Sequence, residues 1–313
     1  VYYRMKEKAP STARLLLTNF FRNTTGMIGL AIVFLIVTSS IFAVQISGYE
    51  PTLMDGMSAS MPPSFNHLMG TDQLGQDVFS RVLYGGRNSV LIGVLASFLG
   101  NLIGTFFGAI AGYVGGKFDT VLIRLSELVM TFPQLVLVLI FVTFLGQGVS
   151  NVIFIFAITG WMTTFRLVRS EFLSLREEAF VEADRAFGFS KKRIIFRHLL
   201  PNTMSPIVVA FTINTAIYII AEAGLSFLGL GVPVTTPTWG NLLAAAQAPV
   251  VVEQYWWLWV FPATAIIAFV TGVNFIGDGL RDVLDPRQRT QTSNSNFIGV
   301  LKEKIFGLRK QNA

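Results

Sequence analysis

Six long apolar stretches separated by shorter polar ones dominate the pattern along the chain, at about residues 26–46, 88–114, 121–145, 151–168, 203–229 and 256–276. Several reach the ~20 apolar residues that an α-helix needs to cross a bilayer. The pattern therefore predicts an all-α polytopic membrane protein with six transmembrane helices. Pro133 falls inside the third stretch and predicts a kink there. In the second, glycine recurs at every fourth position: Gly100, Gly104, Gly108, Gly112 and, just beyond, Gly116. On a helix these residues fall near one stripe. In an aqueous helix each costs ~1 kcal/mol relative to alanine, so the stripe predicts a neighbouring helix whose close approach offsets that cost. The first stretch is too long for a signal-peptide core and has no small-x-small cleavage site, which predicts a retained helix.

The polar interruption at 170–202 has an order of its own. Ser174 with Glu177 three residues on has the form of a capping box. Phe180, Ala183 and Phe187 recur at helical spacing and predict one apolar face, with Glu178, Glu182 and Arg185 around it. Gly188 is suited to end that helix with a left-handed residue. Ser190 can then cap a second, basic helix beginning Lys191-Lys192-Arg193, which Pro201 ends or kinks. The expectation is two short helices at an elbow, exposing an apolar face that something else must cover.

Composition narrows the class. Of 313 residues, 52% are hydrophobic and 13% charged, about half the charged share of a soluble domain. With no cysteine, disulfides and thiolate metal sites are excluded. The two histidines, His67 and His198, stand apart and read as loop polarity rather than metal ligands. A net charge of +6 raises nucleic acid as a partner, but the basic residues flank the apolar stretches. Of the 24 Lys and Arg residues, all but Arg81 and Arg87 fall in segments that share one side of a six-span topology. That places both termini and the elbow in the cytoplasm. Tyr255, Trp256, Trp257 and Trp259 are then expected at the outer interface.

The same topology divides the chain into a cytoplasmic segment 1–25, a first transmembrane helix 26–46 and an extracytoplasmic loop 47–87. A five-helix core 88–287, holding the cytoplasmic loop 170–202, and a cytoplasmic tail 288–313 follow. Residues 70–77 lack the alternating oxygen ligands of a calcium loop. Residues 112–117 resemble a phosphate-binding P-loop only faintly, because Ala111 replaces its first glycine and Phe118 its hydroxyl residue. Glu222 falls within the fifth stretch, where a carboxylate costs roughly 2.5–3.5 kcal/mol on insertion scales, and is a candidate for lining or gating a pathway. Glu127 is placed to pair with Arg124. The end of the tail, 298–310, is basic and partly apolar, suited either to the inner leaflet or to a loosely ordered tail.

Glu182-Ala183, Gly188 and Leu200-Pro201 together resemble the EAA loop of ABC-importer permeases. Two positions depart from that pattern: Asp184 stands where alanine is usual, and His198 where isoleucine is usual. Residues 70–81, Phe132-Pro133, 171–202, 222–231, Trp239-Gly240 and 277–287 resemble, in order, the C-type subunit of the dipeptide/oligopeptide permease subfamily, over about 15–287. The resemblance implies a type I importer permease (MetI-like) fold in a bacterial cytoplasmic (inner) membrane. It implies half of a heterodimeric pore, with a second homologous permease, two cytoplasmic ATPases and an extracytoplasmic binding protein that delivers peptide. ATP and Mg would be bound by the ATPases, and this chain would hold no cofactor and carry out no hydrolysis. The family's coupling role falls on Glu182, Ala183 and Gly188 within a loop that includes Asp184, Leu200 and Pro201; the apolar face adds Phe180 and Phe187. A nickel or glutathione importer is the alternative within the family. A secondary transporter is the alternative outside it, but it calls for paired intramembrane charges and inverted repeats that the chain does not display.

Overall fold

The computed structural model describes residues 18–284. The basic segment before residue 18, the 285–287 exit and the tail lie outside the described residues. We number the principal helices α1 (Thr24–Ile41), α2 (Val78–Val114), α3 (Gly116–Met130), α4 (Gln134–Leu145), α5 (Val149–Leu175), α6 (Ala179–Ala186), α7 (Met204–Phe227) and α8 (Trp257–Leu284). Five of them, α1, α2, α5, α7 and α8, are long and apolar enough to cross a bilayer. The third stretch departs from a kinked span: α3 and α4 meet at 87° across a break of a few residues. Proline explains the break. Pro133 has no N–H to continue a helix, and it disfavours helical backbone at Phe132 before it.

The second helix begins ten residues before the expected position 88. Asp77 caps it, its carboxylate accepting from Ser80 N at 2.7 Å. The polar residues that made 78–87 look like loop are satisfied within a folded polar cap formed by residues 49–81. His67 Nδ1 stands 2.9 Å from Asp77 Oδ1, and Asp72 Oδ1 accepts from the backbone N–H of Leu74 and of Gln76, each at 2.9 Å. Arg81 reaches down from the helix to Asp72 at 2.5 Å and to Gln76. Trp257 is buried beneath this cap and donates from Nε1 to Thr71 O at 3.1 Å.

The glycine stripe lies against α5. A β-carbon at Gly104 would stand 2.5 Å from Trp161 O, at Gly108 2.7 Å from Phe165 O, and at Gly112 2.6 Å from Phe172 Cβ. Gly100 has room, with 3.6 Å to its nearest neighbours. Gly116 is not part of the stripe: α2 ends at Val114, and Gly115 and Gly116 turn the chain with φ of +67° and +69°. Close approach of the two backbones is what small residues at a transmembrane interface permit.

Helix α5 runs on to Leu175, beyond the expected end at 168, so it carries Arg169 as well as Arg166. Arg169 holds Asp119 of α3 through two charge-assisted bonds of 2.5 and 2.6 Å. Arg124 and Glu127 form the expected pair at 2.9 Å.

Candidate functional site

The elbow leaves the end of α5 through Arg176 and enters α6 at Ala179. The expected capping box does not form, because Ser174 is still inside α5; Glu178 is the cap residue of α6 and makes no side-chain capping bond. At the other end the expectation holds. Gly188 sits at φ +75°, Phe189 N donates to Asp184 O and Gly188 N to Arg185 O, each at 3.0 Å. This is a Schellman ending, which satisfies carbonyls that the helix would otherwise leave bare. Ser190 caps the next turn, accepting from Arg193 N. From Ile194 to Leu199 the backbone widens into a π-helix and then enters Leu200–Asn202. Pro201, lacking an N–H, accounts for the loosened turn before it.

Two faces of α6 do different work. Val181 and Asp184 are buried, and Val181 packs with Ile194, Ile195 and Leu199 of the elbow against Ala109 of α2, Val168 and Phe172 of α5, and Ile207 of α7. Phe180, Glu182, Ala183, Phe187 and Gly188 all face outward, Phe187 with 78% of its surface exposed. Phe196 adds a third exposed ring, and Glu178, Arg185, Lys191, Lys192, Arg193 and Arg197 surround the patch with charge. Leu200 is half-buried and Pro201 exposed.

The two departures from the family pattern meet. His198 Nδ1 lies 2.7 Å from Asp184 Oδ2, both mostly buried, so the residue that follows the Glu182-Ala183 pair is tied to the root of α7. The His198 ring also meets Phe189 edge-on at 5.9 Å, and the Arg193 guanidinium lies 3.9 Å over Phe189. Neither Val181 nor this pair is visible from the spacing of Phe180, Ala183 and Phe187. A valine beside a phenylalanine and a lone aspartate give no period.

Glu222 is fully buried in this structure. Its carboxylate accepts from Ser226 Oγ at 2.7 Å and from Ser89 Oγ at 3.4 Å, and Ser89 Oγ accepts from Trp239 N at 3.0 Å. Asn88 Nδ2 donates to Pro237 O at 2.7 Å, and Trp239 Nε1 to Val82 O at 2.9 Å. A β-carbon on Gly240 would stand 2.6 Å from Ala223 Cα. The stretches 222–231 and Trp239-Gly240 thus form one clamp with the distant start of α2, which holds a short helix, Trp239–Leu243, between α2 and α7.

A family profile described as "Binding-protein-dependent transport system inner membrane component" matches residues 104–290, and one for the "N-terminal TM domain of oligopeptide transport permease C" matches 11–63. The oligopeptide transport system permease protein OppC of Bacillus subtilis (strain 168) is 37% identical over 286 residues, 91% of this chain and 93% of the relative. A putative peptide permease protein of Brucella suis biovar 1 is 40% identical, over 86% of this chain and 89% of the relative. The glutathione transport system permease protein GsiD of Escherichia coli O6:K15:H31 is 41% identical, over 86% and 88%. Among solved structures, an inward-facing form of the MetNI methionine ABC transporter aligns with a TM-score of 0.53 at 17% identity. That alignment covers 66% of this chain and 96% of the other. At that identity the likeness speaks to fold alone.

Proposed function

Because this chain belongs to the family of binding-protein-dependent transport system inner membrane components, we propose that it is one of two permease subunits of an ATP-driven peptide importer in a bacterial inner membrane. The bent α3–α4 pair counts as one span, giving six, with both termini and the elbow in the cytoplasm. A second permease completes the pore, two ATPases bind ATP and Mg, and an extracytoplasmic protein delivers the substrate. The elbow is the docking point for an ATPase. The observation that carries this reading is the outward face of α6, where Phe180 and Phe187 stand exposed beside the Gly188 turn while a separate face anchors the helix. An apolar patch rimmed by charge on a segment expected in the cytoplasm calls for a partner.

Gly188→Asp tests the reading. A β-carbon there meets nothing within 4 Å, and the strain of a side chain at φ +75° is smaller for aspartate than for most residues, because it tolerates a left-handed backbone. The expected outcome is normal membrane abundance with loss of peptide uptake and of peptide-stimulated ATP hydrolysis. Normal uptake at normal abundance would defeat the proposal. Glutathione is a second reading of the substrate, favoured by the 41% identity to a glutathione permease. Competition between glutathione and longer peptides for uptake separates the two.

A further inference from the structure

We infer that the groove between α2 and α7, in the half of the bundle next to the elbow, binds one anionic phospholipid of the inner leaflet. An acyl chain lies in the groove and the headgroup sits on the basic residues of the elbow. The inference goes beyond transport, and it rests on the cytoplasmic placement of the elbow proposed above.

The shape of the groove suits a chain entering from one leaflet. It encloses about 320 Å³ between Phe98 and Leu102 of α2 and a line made by Leu200, Met204, Val208 and Phe211. Those four recur at steps of three or four residues, so they share one side of the helical run into α7. Phe196, exposed, continues the line one turn before Leu200. At 1.5 Å per residue, the run from Leu200 to Phe211 covers about 16 Å, close to half of the ~30 Å hydrocarbon core. Deeper in, the groove closes: Ser97 Oγ and Thr215 Oγ1 stand 2.6 Å apart across the two helices, and a β-carbon on Gly93 would meet Ile219. The groove is thus one leaflet deep and shut at its far end.

Its wall holds two polar atoms in want of partners. Asn101 is buried, and its Oδ1 accepts from Thr164 Oγ1 at 2.5 Å and from Asn214 Nδ2 at 2.9 Å. Asn101 Nδ2 has no acceptor among the described residues, and Thr105 Oγ1, one turn nearer the elbow, has no partner either. Both residues line the groove. A buried donor left without an acceptor is costly, and the ester carbonyls of a glycerolipid are acceptors of the kind both lack.

Charge selects the headgroup. Residues 190–202 carry Lys191, Lys192, Arg193 and Arg197, all exposed, and no acidic residue follows them before Glu222. None of the four makes an ion pair among the described residues. Arg193 and Arg197 are one turn apart, and Arg197 precedes Leu200, where the groove begins, by three residues. Two guanidinium groups at that spacing repel unless an anion lies between them, and a phosphate takes the fork of an arginine in two bonds. Basic clusters beside the inner leaflet draw anionic lipids in the same way. By contrast Phe34 and Leu35 of α1, each 68% exposed, lie mid-helix with no charged residue between Thr24 and Ile41, and suit lipid of any headgroup.

The assembled transporter is reconstituted in phosphatidylcholine vesicles containing a trace of phosphatidylglycerol with a photoreactive diazirine in one acyl chain. After illumination, adducts on this chain are mapped by mass spectrometry. Adducts within 98–105 and 204–211 are expected to exceed those at Phe34 and Leu35 at least fivefold. Excess unlabelled phosphatidylglycerol should abolish them, and the same excess of phosphatidylcholine should not. Arg193→Gln with Arg197→Gln is expected to cut the groove adducts at least fivefold while those at Phe34 and Leu35 stay unchanged. Val208→Trp, which fills the groove and leaves the charges alone, should do the same and decides the matter if the arginine variant fails to assemble. Equal labelling of the groove and α1 would mean unselective lipid contact, and equal competition by phosphatidylcholine would mean that the headgroup is not read. An unlabelled groove would mean that the partner permease covers it. Each of these, or full labelling in both variants, overturns the inference. A wild-type complex that contains no ATPase defeats the importer reading instead, whichever adduct pattern is seen.

Discussion

At the scale of single residues, the Asp184–His198 pair is the feature most particular to this chain. A carboxylate this close to an imidazole and mostly out of water is costly to strip of its neighbour, because the remaining group keeps its desolvation without its partner. Asp184→Ala alone and His198→Ile alone are each expected to lower stability and transport. The double variant, which places alanine and isoleucine as the family pattern has them, is expected to recover much of both. A double-mutant cycle on thermal unfolding of the assembled complex should give a coupling of about 1–3 kcal/mol. Additive losses would mean that the two side chains stand close without depending on each other. Glu222 is a different case. Its carboxylate lies within the clamp, between Ser226 and Ser89, and holds the fold of the outer segment.

At the scale of elements, the α2–α5 interface offers a matched pair of substitutions. Gly104→Ala puts a methyl group 2.5 Å from a backbone carbonyl that cannot swing away, whereas Gly100→Ala meets its neighbours at 3.6 Å. Overpacking of the first kind costs typically about 1–3 kcal/mol. Gly104→Ala should therefore lower the apparent Tm of the purified complex while Gly100→Ala leaves it unchanged or raised, and equal effects would mean that the two helices are not in contact at Gly104. The helices themselves were legible because apolar length depends on composition alone. Their ends were less so. The start of α2 is hidden in sequence because Asp77, Ser80 and Arg81 are polar, and only the folded cap reveals that each has a partner. On the elbow, Gly188 and Ser190 were readable because backbone geometry and capping act locally. The anchoring face was not, since Val181 is buried by segments distant in sequence and Asp184 by a histidine fourteen residues on. Nor was the burial of Trp257 readable, since its partner Thr71 is 186 residues away.

At the scale of the whole molecule, this subunit has two unlike surfaces: an apolar face of α2 that exposes Leu91, Leu95, Phe98 and Leu102, and a phenylalanine patch on the elbow. The patch is expected to decide assembly. Replacing Phe180 and Phe187 together by serine should leave the permease pair intact in a pull-down while reducing the retained ATPase at least fivefold. Full retention of the ATPase would move the docking site elsewhere. The seat of α6 itself should survive the change, because the helix is anchored by Val181 and its neighbours rather than by the rings it displays.

Helix α2 joins these surfaces. Its 37 residues form a rod of about 55 Å, well beyond the ~30 Å of hydrocarbon it crosses. One end is pinned under the outer cap by Asp77 and Arg81; near the other, Ala109 and Tyr113 lie against the packing that seats the elbow. No proline interrupts it, and the α5 backbone braces it at Gly104, Gly108 and Gly112. A stiff beam held at both ends behaves as a tie-bar: a tilt imposed at one end must appear as displacement at the other.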